Sequence, residues 1–284
     1  MIEAPRGDGP SARGSPITLS SYPPVPLSHY PATSATPLSG ESSMTSTEFS
    51  GFKPAAFTFL RSLKKHNERE WFEHNRATYE TELKAPLAAL VEEVDVRLAT
   101  LAPEIVGDPK RSPFRIHRDV RFSNDKSPYK THVACWFHHV DAGRGVGTQA
   151  AHGGAGFYFH LEASRSSIGG GIWMPPRPAL QKIREAIDED PASLKKILGN
   201  ATIKRQFGGL DDENMLSRMP RGYPMTHPAI DLLRHQSFTL GRELAHKDLL
   251  SARLPDVLAR EYAQLLPLVR WINAALGLRV LARR

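Results

Sequence analysis

The span from Phe114 to His132, FRIHRDVRFSNDKSPYKTH, holds five Lys or Arg residues against two Asp, with two His besides. Arginine offers a planar bidentate fork and lysine a mobile point charge, so cations in surplus over carboxylates are what phosphate or carboxylate recognition requires. Arg115, His117, Arg118, Asp119, Arg121, Lys126, Tyr129 and Lys130 are the candidate anion-binding residues here. The competing role is structural: Asp119 and Asp125 would tie the arginines into a network that holds helices onto a sheet. Positive charge remains even after both aspartates are paired, and the two roles are compatible. A catalytic use would make Asp119 a base oriented by His117, with Tyr129 or Lys130 as the acid. Neighbouring arginines keep Asp119 ionised and weaken it as a base, which favours electrostatic stabilisation of a bound anion.

With a period of two, Phe114, Ile116 and Val120 face one way while Arg115, His117, Asp119 and Arg121 face the other, as on a half-buried strand. Arg118 falls on the apolar side, so either the strand ends there or the guanidinium finds a carboxylate. Ser123 to Pro128 is a cluster of turn formers in which Asn124 or Asp125 can bond the following backbone, with Pro128 restricting Ser127 to extended geometry. A second rigid basic turn follows at Arg218 to Pro224. Arg221 there, and His227 beyond it, are expected to approach the first cluster across the sheet; the alternative is that they are surface loop residues.

Other chemistries find less support. Neither glycine group follows a strand and opens a helix, so no phosphate-binding loop is present: Gly153, Gly154 and Gly156 precede a strand, and Gly169 to Gly171 lie inside one, where missing side chains permit close approach of a backbone, a ring or a ligand. Histidine is plentiful at 12 residues, but no metal-ligand spacing occurs. His138 and His139 point to opposite faces of one strand, whereas His132 or His138 can meet His160 on the next. No metal and no cofactor is called for. The lone Cys135 excludes an intrachain disulfide, and its apolar flanks make it a buried, inert thiol rather than a nucleophile.

Several elements must position these groups. Residues 1 to 43 are rich in Pro, Ser, Gly and Thr and read as a disordered tail, with Met44 an alternative start to a globular part spanning 44–284. A presequence reading of the tail is opposed by its acidic residues and its lack of an amphipathic repeat. A first helix runs from Pro54 toward His66. Asn67, with Glu70 three residues on, then suggests a capped long helix whose apolar positions run from Phe72 to Leu101, bent near Pro86. Val133–Val140, Gly156–Ala163 and Ser166–Met174 read as strands. Two helices follow, one with Pro178 near its start and one capped by Asp190 and ended by Gly199. A helix from Pro228, a strand through Arg234 to Leu240 and a terminal helix from Leu254 to Leu276 complete an α+β fold, an antiparallel meander packed against several helices in a single domain.

At these residues the sequence resembles the family known as domain of unknown function 2461, found in bacteria and fungi. The resemblance covers about Phe49 to Leu276. It rests on Phe59-Leu60 with Asn67-Glu68-Arg69-Glu70-Trp71-Phe72, on Arg115-Ile116 with Arg118-Asp119-Val120-Arg121-Phe122-Ser123, and on Asp125 to Thr131. Gly169 to Trp173, Pro220 to Pro224 and His227-Pro228 are similar to its other blocks. His66 departs from a pattern that often shows a second Asn. The resemblance implies a start near Met44, and it brings no reaction and no catalytic residues.

The chain of 284 residues carries a formal net charge of +7 and a pI near 9.6, which favours acidic or phosphorylated partners. It has no apolar run of membrane-spanning length and no secretory pattern, and the single cysteine suits the cytoplasm. Three functions compete: a pocket for a phosphorylated or carboxylated small molecule, a nucleic-acid binding module, and a protein-interaction scaffold. The nucleic-acid reading needs exposed aromatics among the cations, and Tyr129 is the one expected to be exposed, with Phe114, Phe122 and Trp136 turned inward.

Overall fold

Aromatic and β-branched runs broken by Gly and Ser build the sheet. In the computed structural model, which describes residues 48–121, 124–142 and 153–280, it consists of β1 (Ile105–Val106), β2 (His132–His139), β3 (Gly156–Glu162), β4 (Ser167–Ile172) and β5 (Phe238–Glu243). The strands are antiparallel and lie in chain order, the meander expected of this α+β domain. The two-residue β1 was not expected, and the tail to Met44 lies outside the described residues.

The register sorts the sheet into two faces. Cys135 opposes Phe159 and Phe137 opposes Phe157, so these residues share one face with Val133, Leu161, Ile168 and Leu240, all buried. His132 opposes Glu162, Ala134 opposes His160 and Trp136 opposes Tyr158 on the other face. The apolar face packs against α4 (Ala85–Leu101) and α10 (Leu254–Ala275), and the buried side of α1 (Pro54–Lys65) joins the same core. Tyr262 of α10 stacks on Phe157 at 4.5 Å and donates its hydroxyl proton to the Tyr158 carbonyl at 3.1 Å. The β4 glycines serve this close packing: a Cβ at Gly170 would sit 3.1 Å from Leu265, and Gly171 has φ +130°, a conformation suited to glycine.

Between α1 and β1 the expected single long helix is instead segmented into α2 (Arg69–His74), α3 (Arg76–Tyr79), a π-helical turn (Glu80–Lys84) and α4. The break falls at Asn75, and the wide turn comes just before Pro86, which occupies the first turn of α4 where its missing N–H is not needed. The amphipathic repeat survives the interruptions, with Phe72, Tyr79, Leu83, Leu87, Leu90, Val94 and Leu98 all buried.

After β4 come α5 (Arg177–Glu189) and α6 (Pro191–Leu198), the latter capped by Asp190, which accepts from the Ala192 and Ser193 amides. An unanticipated α7 (Ala201–Phe207) starts at Asn200, whose side chain accepts from the Thr202 and Ile203 amides. The helix expected from Pro228 is only a single turn, α8 (Ile230–Leu233), and the strand expected from Arg234 begins later, at Phe238. Over that stretch the carbonyls of Leu233 and His235 accept from Arg184 of α5 instead of from a strand. A short α9 (His246–Leu249) leads into α10.

Candidate functional site

Residues 113 to 118 do not form the expected strand. They run antiparallel to 128–135 as an irregular hairpin, with isolated bridges between Pro113 and Cys135 and between His117 and Tyr129. The Phe114 amide donates to the Ala134 carbonyl at 2.9 Å, Lys130 to Ile116 at 2.8 Å and Arg118 to Pro128 at 2.8 Å. The register slips between the two bridges, so no continuous ladder forms. Alternation nonetheless holds as far as it reaches: Ile116 is buried while Arg115 and His117 are exposed.

Asn67 anchors the hairpin to the helices. Its side chain donates to the Tyr129 carbonyl at 2.9 Å and accepts from the Tyr129 amide at 3.0 Å. It therefore does not cap α2, whose N-cap is Glu68 with no side-chain bond. Tyr129, expected to be exposed, is 2% exposed, its ring stacked on Phe72 at 4.1 Å. It is a packing residue that seats the hairpin.

The charged residues of the hairpin divide into two groups. Arg121 clasps Asp119, with Nη2 to Oδ2 at 2.8 Å and Nε to Oδ1 at 3.1 Å, and these hydrogen bonds push the Asp119 carboxyl down to about 2. Lys126 donates to the Val120 carbonyl at 2.9 Å within the turn. Asp125 makes the expected turn bond, accepting from the Ser127 amide at 2.9 Å, which lowers its pKa. These groups hold the loop in shape.

Arg118, Arg115 and Lys130 form the second group. Arg118 Nη1 lies 3.1 Å from Asp125 Oδ2, but that carboxylate is 55% exposed while the arginine is 17% exposed, so water screens the pair from one side. Arg118 Nε is buried without an acceptor among the described residues. Among the described residues, neither Arg115 nor Lys130 forms an ion pair. Burial, then the nearby positive charges of Arg115 and Arg118, push the Lys130 ammonium down to about 8. His117, exposed overall, is likewise held below its ordinary value by partial desolvation and by the charge of Arg115.

The polar face of β2 and β3 adjoins this group and contributes residues that sequence reasoning did not assign to the site. Tyr158, His160 and Glu162 alternate along β3, so all three project to that face. His160 Nε2 lies 3.3 Å from Glu162 Oε2 and its Nδ1 3.4 Å from the Tyr158 hydroxyl. His132 meets His160 as the sequence allowed, ring centroids 4.5 Å apart. Burial, His160, Lys130 and Arg118 together push His132 down to about 2, so its imidazole is neutral at physiological pH. Lys130 Nζ sits 5.5 Å from the centre of the Phe114 ring, which is 6.2 Å from Tyr158. Among the described residues, no group of three or more His, Cys, Asp and Glu is arranged to hold a metal ion. Cys135 is fully buried, and burial raises its pKa.

Arg221 and His227 are not brought to this place. His227 Nε2 lies 2.8 Å from Asp188 of α5, and its Nδ1 accepts from the Ala229 amide at 3.0 Å. Their loop precedes β5, whereas the hairpin continues the β1 edge of β2, opposite β3. Four strand spacings of about 4.8 Å separate those edges, roughly 19 Å of sheet. Arg221 is exposed. A separate cavity of about 460 Å³, lined in part by Glu104, His139, Arg270 and Asn273, contains a neutralised pair, with Arg270 Nε 2.7 Å from Glu104.

Among the described residues no helix is long and apolar enough to cross a membrane. No curated protein and no solved structure matches the chain. The model of the family described as conserved hypothetical protein (DUF2461) matches residues 55–271, a stretch that includes the helical scaffold, the hairpin and the whole sheet, and the chain belongs to that family.

Proposed function

We propose that this chain binds a small phosphorylated or carboxylated molecule where the hairpin meets the polar face of β2 and β3. Arg115, Arg118 and Lys130 are its anion-binding groups, with the neutral imidazole of His132 and the ring of His160 beside them as hydrogen-bonding partners. The observation that carries the reading is the surplus of cations: among the described residues, Arg115 and Lys130 have no ion pair and Arg118 keeps a buried Nε without an acceptor. Holding like charges together unneutralised destabilises the empty protein, and an anion relieves that repulsion. Arg121 and Lys126 support the loop from within, while Arg221 and His227 belong to another part of the surface. The lone buried thiol favours a cytoplasmic setting.

The test is thermal unfolding at low ionic strength with inorganic phosphate, citrate and a panel of sugar phosphates. A ligand that binds only the native state stabilises it by about 2.7 kcal/mol at one hundred times its Kd. Arg118→Ala and Lys130→Ala should each abolish the shift. The second reading, a nucleic-acid module, draws on the half-buried Phe114 and Trp136 beside the cations. It requires oligonucleotide affinity that falls log-linearly and steeply with salt. If no phosphate or carboxylate shifts the transition, the anion reading fails and the interaction scaffold takes its place.

A further inference from the structure

We infer that the ligand carries a flat ring beside its anionic group, so that the site takes a nucleotide-like molecule: a phosphate joined to a heteroaromatic base. The inference rests on the anion reading above and adds the half of the ligand that the cations do not address. Three large aromatic side chains lie on the polar side of the sheet. Trp136 opposes Tyr158 across the β2 and β3 pairing, on the face away from Phe137, Phe157 and Phe159. Phe114 stands beside Tyr158 at 6.2 Å with its ring tilted 54°. All three are half-buried, whereas Phe137, Phe157 and Phe159 on the apolar face are fully buried.

The sequence makes room for this arrangement. A Cβ at Gly156 would collide with the Phe137 carbonyl oxygen and lie 3.0 Å from Trp136 Cζ2, so the glycine lets both the β2 backbone and the indole lie against β3. Beyond Tyr158 the rings of His160, 6.3 Å away, and of His132 continue the row. Cations border it: Lys130 Nζ is 5.5 Å from the Phe114 ring centre, and the charges of Lys130 and Arg118 both act on His132. A phosphate held by Lys130 and Arg118 therefore has aromatic surface within the reach of its own substituent. Stacking of a base on such rings is favourable and independent of base identity. Arg115 and Lys130, without ion pairs among the described residues, and Arg118 act on one another at one place, a compact cluster that suits one nucleotide and not a strand.

Calorimetric titration of the full chain at fixed low ionic strength tests this, using the four ribonucleoside 5′-monophosphates, ribose 5-phosphate, inorganic phosphate and a short oligonucleotide. The best monophosphate should bind at least about tenfold tighter than ribose 5-phosphate, the gain expected from one stacked base. Tyr158→Ala should bring it to the level of ribose 5-phosphate, while Tyr158→Phe keeps the advantage. Equal binding of the monophosphates and ribose 5-phosphate, both lost in Arg118→Ala, overturns the ring inference and leaves the anion reading standing. Failure of every phosphate to bind overturns both. An oligonucleotide bound far more tightly than any monophosphate assigns the rings to a strand and also overturns the inference. The wild-type comparison decides the matter even if Tyr158→Ala does not fold.

Discussion

The two faces of the sheet treat charge differently. On the apolar face, Arg242 reaches from β5 to Glu261 of α10 at 2.7 Å, and Glu261 is 3% exposed; beside β1, Arg270 meets a Glu104 that is 1% exposed. Each of those buried carboxylates has an arginine fork on it. Where the polar face meets the hairpin, Arg115 and Lys130 stand without ion pairs among the described residues, and Arg118 shares one exposed carboxylate. A charge taken from water for structural reasons comes with its partner, because the desolvation of a lone ion costs several kcal/mol. Cations gathered without buried carboxylates do little for the fold, and the proposed anion site rests on that asymmetry.

The largest effect should separate the faces by packing. Phe157→Ala leaves a cavity under α10 and should cost about 3–5 kcal/mol in urea unfolding, whereas Tyr158→Ala, its neighbour on the other face, should cost less than about 1.5 kcal/mol. Equal losses would break the comparison. Arg242→Met replaces the fork on the buried Glu261 with the looser contact of Arg260 at 3.7 Å, and should destabilise by about 3 kcal/mol. Lys130→Met should do the reverse near pH 7, raising stability while removing anion binding.

The pH dependence follows from the same lysine. Its folded pKa, about 8, lies below the ordinary lysine value, so between the two the unfolded chain binds more protons and stability rises with pH. Lys130→Met should flatten that rise, as measured by denaturation from pH 7.5 to 10. Next in size, Asn67→Ala removes both bonds to the Tyr129 backbone and should cost about 1–3 kcal/mol. It should also weaken phosphate binding, because it loosens the hairpin without touching a cation. Smallest of all, Arg121→Ala and Lys126→Ala should leave phosphate affinity within about twofold, since both side chains bond within the loop. A large loss in either would erase the division between loop-holding and ligand-holding charges.

Much of this organisation was legible in the residues. Periodicity gave α1, β2, β3, β4, α5, α6 and α10 to within a few residues, and local composition pointed to the hairpin. The illegible parts depend on contacts between distant segments. Asn67 and Tyr129 lie 62 positions apart, so a local capping pattern was the only role visible for the asparagine. The register slip between the Pro113 and His117 bridges cannot be read from alternation, which is why a strand was expected where a hairpin forms. Tyr158 and Glu162 join the candidate site only through the β2 and β3 register, and alternation along β3 was the available signal. Arg221 and His227 share charge type with the hairpin, but charge type carries no information about which edge of the sheet a loop occupies.

Titration of the Lys130 ammonium by NMR of its labelled Cε, in the empty protein and with saturating inorganic phosphate, tests the uncompensated cluster most directly. The lysine should titrate near 8 alone and move upward by a unit or more with phosphate, because a bound anion stabilises the charged form. A lysine that titrates at the ordinary value near 10.4 and does not respond to phosphate would contradict the account.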